Sequence, residues 1–200
     1  MAEFHYAIST AATSYPITVD ECKMQLRIDH DYEDEWLFSA IAAAVEVVEH
    51  DLDRQIMAAT WTLALDDFPV GSTPIVIDKA PLTSVTSITY YDKDNVSQTW
   101  ASTNYYVSTS EPGRICLTDT STYPETEYRP DAVTVTFVAG YSTIPETIRL
   151  ALKLIVGEWY ENREDLGIIP MGIQRILDTQ RYTLDLGAAT TITPNWKTNG

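Results

Sequence analysis

The stretch LKLIVGEWYENREDL, residues 152–166, restricts the fold more than any other part of the sequence. It begins as a run that is apolar on nearly every side, and it ends in two aromatic residues followed by charged ones. A helix that is apolar nearly all round is buried on several sides. The run is too short for a membrane span, which needs about 20 apolar residues, so it predicts a buried helix in a globular domain.

The helix is predicted to begin at Pro145, a residue favoured at the first helical position, and to end near Asn162. The residues before this helix have a different hydrophobic period. Residues 60–141 alternate between polar and apolar types in segments such as TWTLALDDF and AVTVTFVAGY, with turn signals between them. Such closely spaced strands predict an antiparallel sheet or small barrel, with a hairpin around Asp94 and Asn95.

Helices are also predicted on the N-terminal side of this β region. Thr18 and Glu21 have the spacing of a capping box, which predicts a short helix over residues 19–27. A longer helix is predicted over residues 31–54, because apolar residues recur there at helical spacing. Residues 1–16 have no period and predict a flexible arm.

These patterns divide the chain into five segments. They are a flexible N-terminal arm over residues 1–16, a first helical part over 17–59, a β insertion over 60–141, a second helical part over 142–182 that packs with the first, and an extended C-terminal tail over 183–200. The second helical part includes a short amphipathic helix within MGIQRILDTQ, residues 171–180.

The C-terminal tail combines apolar side chains with very little charge. Its charged residues are Asp185 and Lys197. Its large apolar residues are Leu184, Leu186, Ile192 and Trp196. Because exposing these side chains to water costs free energy, two alternatives stay open. The tail packs on its own domain or is simply disordered, or it docks in extended form onto another chain, for example by strand addition.

The charge of the chain restricts its partners. It carries 13 basic and 29 acidic residues, a net charge of −16, and no cluster of Lys and Arg. This argues against sequence-specific binding of DNA or RNA, although transient passage of DNA is compatible with it. The two scattered cysteines, Cys22 and Cys116, favour a reduced, cytosolic site of assembly. The N-terminus lacks the pattern of a signal peptide, so we expect an unexported protein with no membrane partner.

No catalytic, cofactor or metal site is predicted. The run DHDYEDE, residues 29–35, lacks the Gly and the final acid of a calcium loop and predicts a solvated helix start. The histidines, His5, His30 and His50, do not have the spacing of a zinc pair. The carboxylate pairs Asp66–Asp67 and Asp92–Asp94 lie beside turn signals, where Asp is favoured for local hydrogen bonds. We therefore expect a protein that is not an enzyme, with a carboxylate-dependent hydrolase as a minor alternative.

Taken in order, these elements resemble the head-tail connector proteins, also called adaptor or head-completion proteins, of tailed bacteriophages and gene-transfer particles. The matching segments are ITVDECKMQLRIDHDYEDEWLFSAIAAAVEVVEHDLDRQI at 17–56, WTLALDDFP at 61–69, IVIDKAPLTSVTSITYYDKD at 75–94 and AVTVTFVAGYSTIPETIRLALKLIVGEWYENRED at 132–165. IPMGIQRILDTQRY at 169–182 resembles the Pro-containing terminal helix of the family. The resemblance covers residues 17–182.

The resemblance implies an α+β fold: a bundle of long helices, an antiparallel β insertion between the second helix and the last long helix, and extended terminal arms. It also implies a non-enzymatic ring, commonly of twelve subunits, that docks on the portal protein beneath the portal vertex and meets a tail-side connector or terminator protein. DNA would pass through the channel without specific binding, and no cofactor would be needed. The protein would lie in the virion, at the head-tail junction, after assembly in the host cytoplasm.

In such a ring, the predicted partner-interface residues are Trp159, Tyr160, Arg163, Leu184, Leu186, Ile192 and Trp196. Trp159 and Tyr160 are expected at the boundary between the core and the surface, and Arg163 could pair with a carboxylate across a subunit boundary. Burial in a monomeric core would explain the apolar helix equally well. The alternative function is a tail-side terminator or binding module that uses the β region near Tyr105 and Tyr106.

Overall fold

The structure is a computed structural model that describes residues 5–163 and 168–181. The helices in this part of the chain are α1 (Val19–Leu26), α2 (Asp34–Leu52), α3 (Glu146–Glu161) and α4 (Met171–Asp178). The strands are β1 (His5–Thr10), β2 (Ala59–Leu65), β3 (Ile75–Ile77), β4 (Leu82–Tyr91), β5 (Ser97–Trp100), β6 (Tyr105–Ser108), β7 (Gly113–Leu117) and β8 (Val133–Ala139). Helices therefore lie on both sides of a long β region in the sequence.

The strands form two antiparallel sheets. The larger sheet has the order β1-β2-β8-β4-β5, and the smaller sheet has the order β3-β7-β6. Side chains of a strand alternate between its two faces, so every second residue of β8 is buried. Leu63, Val135 and Phe137 from the larger sheet share one core with Ile75 and Ile115 from the smaller sheet. This core lies between the two sheets.

The helices enclose a second core. α3 packs against α1, α2 and α4, and buried residues such as Leu37, Leu152 and Ile155 lie among them. The predicted capping box at the start of α1 is confirmed: Glu21 N donates to Thr18 Oγ1 at 3.2 Å, and Thr18 N donates to Glu21 Oε2 at 3.0 Å. The core of the helices and the core of the sheets are thus separate clusters.

The prediction of a bundle of long helices is wrong. α1 and α4 have eight residues each, about 12 Å of helix. Pro145 and Pro170 directly precede α3 and α4, and α1 ends where Arg27 adopts a left-handed conformation with φ of 58°. Eight strands supply the second core. The fold is therefore α+β with a β-rich core.

The predicted extended arm at the N-terminus is also corrected. Residues His5–Thr10 form β1, which pairs with β2 so that Ala7 lies opposite Thr62. The ring of Tyr6 meets the ring of Phe137 edge-on, with 6.3 Å between their centres. This part of the predicted arm therefore belongs to the larger sheet, because its inward side chains reach the sheet core. The division of the rest of the chain into segments stays a prediction.

The helices and sheets meet at a junction that is built from backbone contacts. Gln55 N donates to Ala80 O at 2.8 Å, Gly140 N donates to Pro81 O at 2.9 Å, and Tyr141 N donates to Ile56 O at 3.2 Å. Gly140 has a φ of 126°, which residues with a side chain rarely adopt. A Cβ atom at this position would lie 2.6 Å from the Ala58 backbone. The junction therefore needs glycine at position 140.

Substitution Gly140→Ala should lower the free energy of unfolding by about 3 kcal/mol or more, since backbone strain and a backbone clash add together. Gly71→Ala is the matched control, because Gly71 has a φ of 67° but nothing lies within 4 Å of an added Cβ. The control should lose about 1 kcal/mol. Urea unfolding of both variants measures the difference, and equal losses would contradict a close approach at Gly140.

Candidate assembly surfaces

The C-terminal end of α3 carries three of the residues predicted as a partner interface. Trp159 is 2% exposed and belongs to the core of the helices. Its indole Nε1 donates to the backbone oxygen of Ile168 at 3.1 Å, so its polar atom is satisfied inside the chain. Trp159 therefore holds the segment that leads to α4. A substitution of Trp159 would affect a partner only through that segment.

Tyr160 and Arg163 lie beside the first turn of α2. The hydroxyl of Tyr160 donates to one oxygen of Glu33, and the guanidinium of Arg163 donates to the other. The guanidinium carbon of Arg163 lies 4.8 Å from the ring centre of Trp36 and 4.9 Å from that of Tyr160. We call these four residues the Glu33 cluster. In this chain Arg163 thus pairs with a carboxylate of its own subunit, and its role at a subunit boundary stays a prediction.

The Glu33 cluster changes the pKa values of its members. The hydrogen bond from Tyr160, followed by that from Arg163, lowers the pKa of Glu33. The same contact with Glu33 raises the pKa of Tyr160. A carboxyl group whose pKa is lowered by folding stabilises the fold at pH values above its ordinary pKa. The cluster therefore joins the end of α3 to the start of α2 through ionised Glu33.

α4 marks where the chain leaves the core of the helices. Ile173 and Leu177 are buried there. Gln174 Nε2 donates to Asp51 at 2.7 Å, and Arg181 pairs with the same carboxylate at 2.9 Å. The chain therefore leaves beside the C-terminal end of α2. The predicted tail contacts, Leu184, Leu186, Ile192 and Trp196, lie outside the described residues.

The two tyrosines of the predicted β binding module face in opposite directions. Tyr105 is 8% exposed and packs on Trp100, with 5.0 Å between ring centres. Tyr106 is 67% exposed. Because both lie in β6 rather than in a loop, the alternation of the strand separates them. Of this pair, Tyr106 is the one available to a partner.

The carboxylate pairs hold turns and loops in place. Asp92 Oδ1 accepts from the backbone N–H groups of Asp94 and Val96, at 3.0 Å and 2.9 Å. Asp67 accepts from the Thr126 hydroxyl at 2.7 Å. The bonds of Asp92 fit the interpretation of its pair as turn residues, whereas Asp67 also holds a loop that is distant in sequence. Within residues 5–163 and 168–181, no three His, Cys, Asp or Glu side chains are grouped so as to hold a metal ion. No helix in the same ranges is long and apolar enough to cross a membrane.

The larger sheet has an outer face that sequence analysis did not predict. Its five strands contain no Asp, Glu, Lys or Arg. The register places Thr62 beside Thr136, and Thr136 beside Ser87, on the side away from the sheet core. The outward residues of β2 and β8 are half-buried and lie in neither hydrophobic core. We call this surface the uncharged sheet face; finding it required the strand pairing.

The cations of the chain are largely paired with its own acids. Lys23 pairs with Asp31 and Asp34. Other such pairs are Arg54 with Glu111, Arg149 and Lys153 with Glu21, and Arg181 with Asp51 and Asp178. Because the chain has 29 acidic and 13 basic residues, the charge that these pairs leave over is mostly negative. The uncharged sheet face therefore stands out on an acidic molecule.

Substitution Glu33→Gln should lower the melting temperature by a few degrees at pH 7, because it removes the ion pair with Arg163. The pKa of Glu33 is lowered by folding, so its contribution is present above its ordinary pKa of 4.5 and lost as the pH falls through the lowered value. The two proteins should therefore converge in acid. Glu35→Gln, an exposed residue in the same helical turn, is the control. An equal deficit at pH 7 and pH 3 in calorimetric melting would contradict the prediction.

The sequence and structure were compared with known proteins. A family model described as head completion protein matches residues 16–167. No curated protein matches the sequence. The family match confirms the resemblance to head-completion proteins.

Three similar solved structures come from gene transfer agent particles. One is from the neck of an empty particle computed with C6 symmetry, with a TM-score of 0.74, 22% identity, and coverage of 92% of this chain and 98% of that chain. Another is from the virion of the native particle, with a TM-score of 0.73, 22% identity and the same coverage. The third is from the neck of the native particle computed with C12 symmetry, with a TM-score of 0.65, 22% identity, and coverage of 91% and 98%.

At 22% sequence identity, the similarity to these structures establishes the fold. The family model establishes the family of the chain. Its match begins at Pro16, three residues before α1, and extends through β2–β8 to beyond the end of α3, so β1 lies outside it. The protein therefore belongs to the head completion protein family.

Proposed function

We propose that this protein is a structural, non-enzymatic component of a virion neck, a head-tail connector that forms a ring under the portal vertex and joins the DNA-filled head to the tail. The family match over residues 16–167 carries this proposal. The neck origin of the similar structures fits a location at the head-tail junction. Assembly would take place in the host cytoplasm.

The uncharged sheet face suits contact between copies in the ring. Each copy carries a net charge of −16, so two copies that meet through acidic surfaces repel each other. A face without charged residues avoids that repulsion, and its small Thr and Ser side chains permit close approach. A ring of twelve copies fits the C12 symmetry used for one similar neck structure, whereas another was computed with C6 symmetry.

The remaining partners would meet other surfaces of the subunit. The C-terminal segment, with Leu184, Leu186, Ile192 and Trp196, would dock on the portal protein. The Glu33 cluster would lie at a rim of the ring, where Arg163 keeps 46% of its side chain exposed. Acids lining the channel would repel the phosphates of passing DNA, so DNA would move through without specific binding.

A second candidate is a tail-side terminator or binding module that uses the β region. The observation that favours it is Tyr106, which is 67% exposed on the edge strand β6. This candidate would bind tails rather than heads. The same sedimentation experiment separates it from the connector.

Purified protein mixed with portal-bearing heads should sediment with them in a fixed ratio. A chain lacking residues 183–200 should fold normally but stay in the supernatant, because its portal contact is gone. Thermal melting of the shortened chain is the folding control. Loss of stability on deletion would favour a tail packed on its own domain, and a full-length chain that binds tails but not heads would favour the second candidate.

Substitution Thr136→Glu should block ring formation on heads while leaving the subunit folded, because it puts a charge at the centre of the uncharged sheet face. The free energy of unfolding should change by about 1 kcal/mol or less at this half-buried position. Thr122→Glu adds the same charge to an exposed loop outside the sheet and is the matched control. The measurement is copies per head by quantitative gel densitometry, and a normal copy number for Thr136→Glu rules out this face.

A further inference from the structure

The end of the larger sheet away from the helices is formed by three loops. β2 and β4 begin at the junction and end in loops 66–74 and 92–96, and loop 118–132 leads into β8, which returns to the junction. We call these three loops the distal loop face. The seven residues of β2 separate it from the junction by roughly 20 Å. It is therefore remote from the helices and from the site where the chain leaves α4.

Specific contacts fasten the distal loops to one another. The rings of Phe68 and Tyr123 stack with 5.0 Å between their centres, and the Tyr123 hydroxyl donates to Thr73 O at 2.8 Å. Further bonds join the first and third loops: Thr126 Oγ1 donates to Asp67 at 2.7 Å, and Asp131 N donates to Asp66 at 3.0 Å. Loop 118–132 is therefore held in one shape although it contains neither helix nor strand.

The hairpin loop 92–96 is fixed in the same way. Arg129 Nη1 donates to Asn95 Oδ1 at 3.0 Å, and its guanidinium carbon lies 4.0 Å from the ring centre of Tyr91. Lys93 pairs with Glu125. Lys93 is paired with an acid, and Arg129 is held against Asn95 and Tyr91, so both cations also orient the loops.

Apolar side chains project from these fixed loops into solvent. Val70 is 90% exposed and Val96 is 51% exposed, and Tyr128 is fully exposed. Val70 also lines a groove of about 720 Å³ between the first and third loops, together with Lys93, Tyr123 and Glu125. Exposed apolar residues cost free energy in water, and on preorganised loops they are suited to anchor a partner with little loss of entropy.

The charge of the face selects the kind of partner. Its acids are Asp66, Asp67, Asp92, Asp94, Asp119, Glu125, Glu127 and Asp131, against the bases Lys93 and Arg129. This excess of acid repels DNA and repels a second acidic copy of the chain. It attracts a basic protein surface and steers its approach. The apolar anchors and the acids together therefore fit a basic protein with apolar pockets.

We propose that the distal loop face is the docking surface for the tail-side component of the neck, which meets it through a basic surface with apolar pockets. This inference rests on the proposed function, in which the C-terminal segment takes the portal. Arg181, the last described residue before that segment, pairs with Asp51 at the end of α2, on the helical side of the junction. The distal loop face lies on the opposite side of the junction, so the two contacts do not compete for one surface.

The test is particle assembly with the triple variant Val70→Ser, Val96→Ser, Tyr128→Ala in the complete particle-producing system. DNA-filled heads should carry the variant at the wild-type copy number, but joined particles should fall on the order of tenfold or more, leaving heads without tails. Tyr32→Ala, an exposed tyrosine just before α2 and outside this face, is the matched control and should join tails normally. Thermal melting of each purified variant verifies that the fold is intact.

The outcomes distinguish this inference from the proposed function. Normal tail joining by the triple variant, or an equal loss for Tyr32→Ala, would overturn docking at the distal loop face. A folded variant that is missing from heads would mean that the face meets the head side, which overturns the tail-side assignment. If the wild-type chain itself were absent from heads, the proposed function would fail instead.

A second measurement tests the basic partner. Joining of purified wild-type tails to purified heads should slow as sodium chloride is raised, because salt screens the attraction. Asp94→Lys, a charge reversal at an exposed position of the hairpin loop, should slow joining at low salt and reduce its salt dependence. Joining that is indifferent to salt, or that is unchanged by Asp94→Lys, would overturn the electrostatic part of the proposal.

Discussion

The close approach of Gly140 to the Ala58 backbone is the constraint on which the rest of the architecture depends. The chain passes between the core of the helices and the core of the sheets near Ile56 and near Gly140, and backbone hydrogen bonds join these two passages to each other and to the loop between β3 and β4. A side chain at position 140 would separate them. Each core is closed by its own elements, so this contact sets the position of the helices relative to the distal loops within one subunit.

Local signals in the sequence predicted local structure well. The Thr18–Glu21 capping box and the hairpin at Asp94–Asn95 depend on neighbouring residues, and both are present. The bundle of long helices, which the resemblance implied, is wrong although the predicted helix bounds lie within three residues of α1, α2 and α3: α1 has only eight residues, and the strands supply a second core. β1 was missed because His5–Thr10 becomes a strand through pairing with β2, a contact distant in sequence.

The candidate surfaces were harder to predict than the fold. Composition predicted an acidic protein, but the uncharged sheet face is visible only after strands distant in sequence are paired. Trp159 and Tyr160 are adjacent in the sequence, yet one is a core residue and the other joins the Glu33 cluster. Val70 and Tyr128 lie in loops, and their exposure depends on how Phe68 and Tyr123 pack against each other. In each case, the direction of the side chain rather than the residue type decides whether the residue is buried or available to a partner.

The pairing of cations within the subunit has a consequence for assembly in solution. Lys23, Arg149 and Arg181 pair with acids of their own chain, so they offer little positive charge to a neighbouring copy. In the proposed ring, such copies would concentrate negative charge, so mobile cations from the solvent would gather around it as it forms. Ring formation would therefore take up counterions, whereas a DNA-binding protein releases them. The expected thermodynamic signature is an ion-uptake coefficient whose sign is opposite to that of a DNA complex.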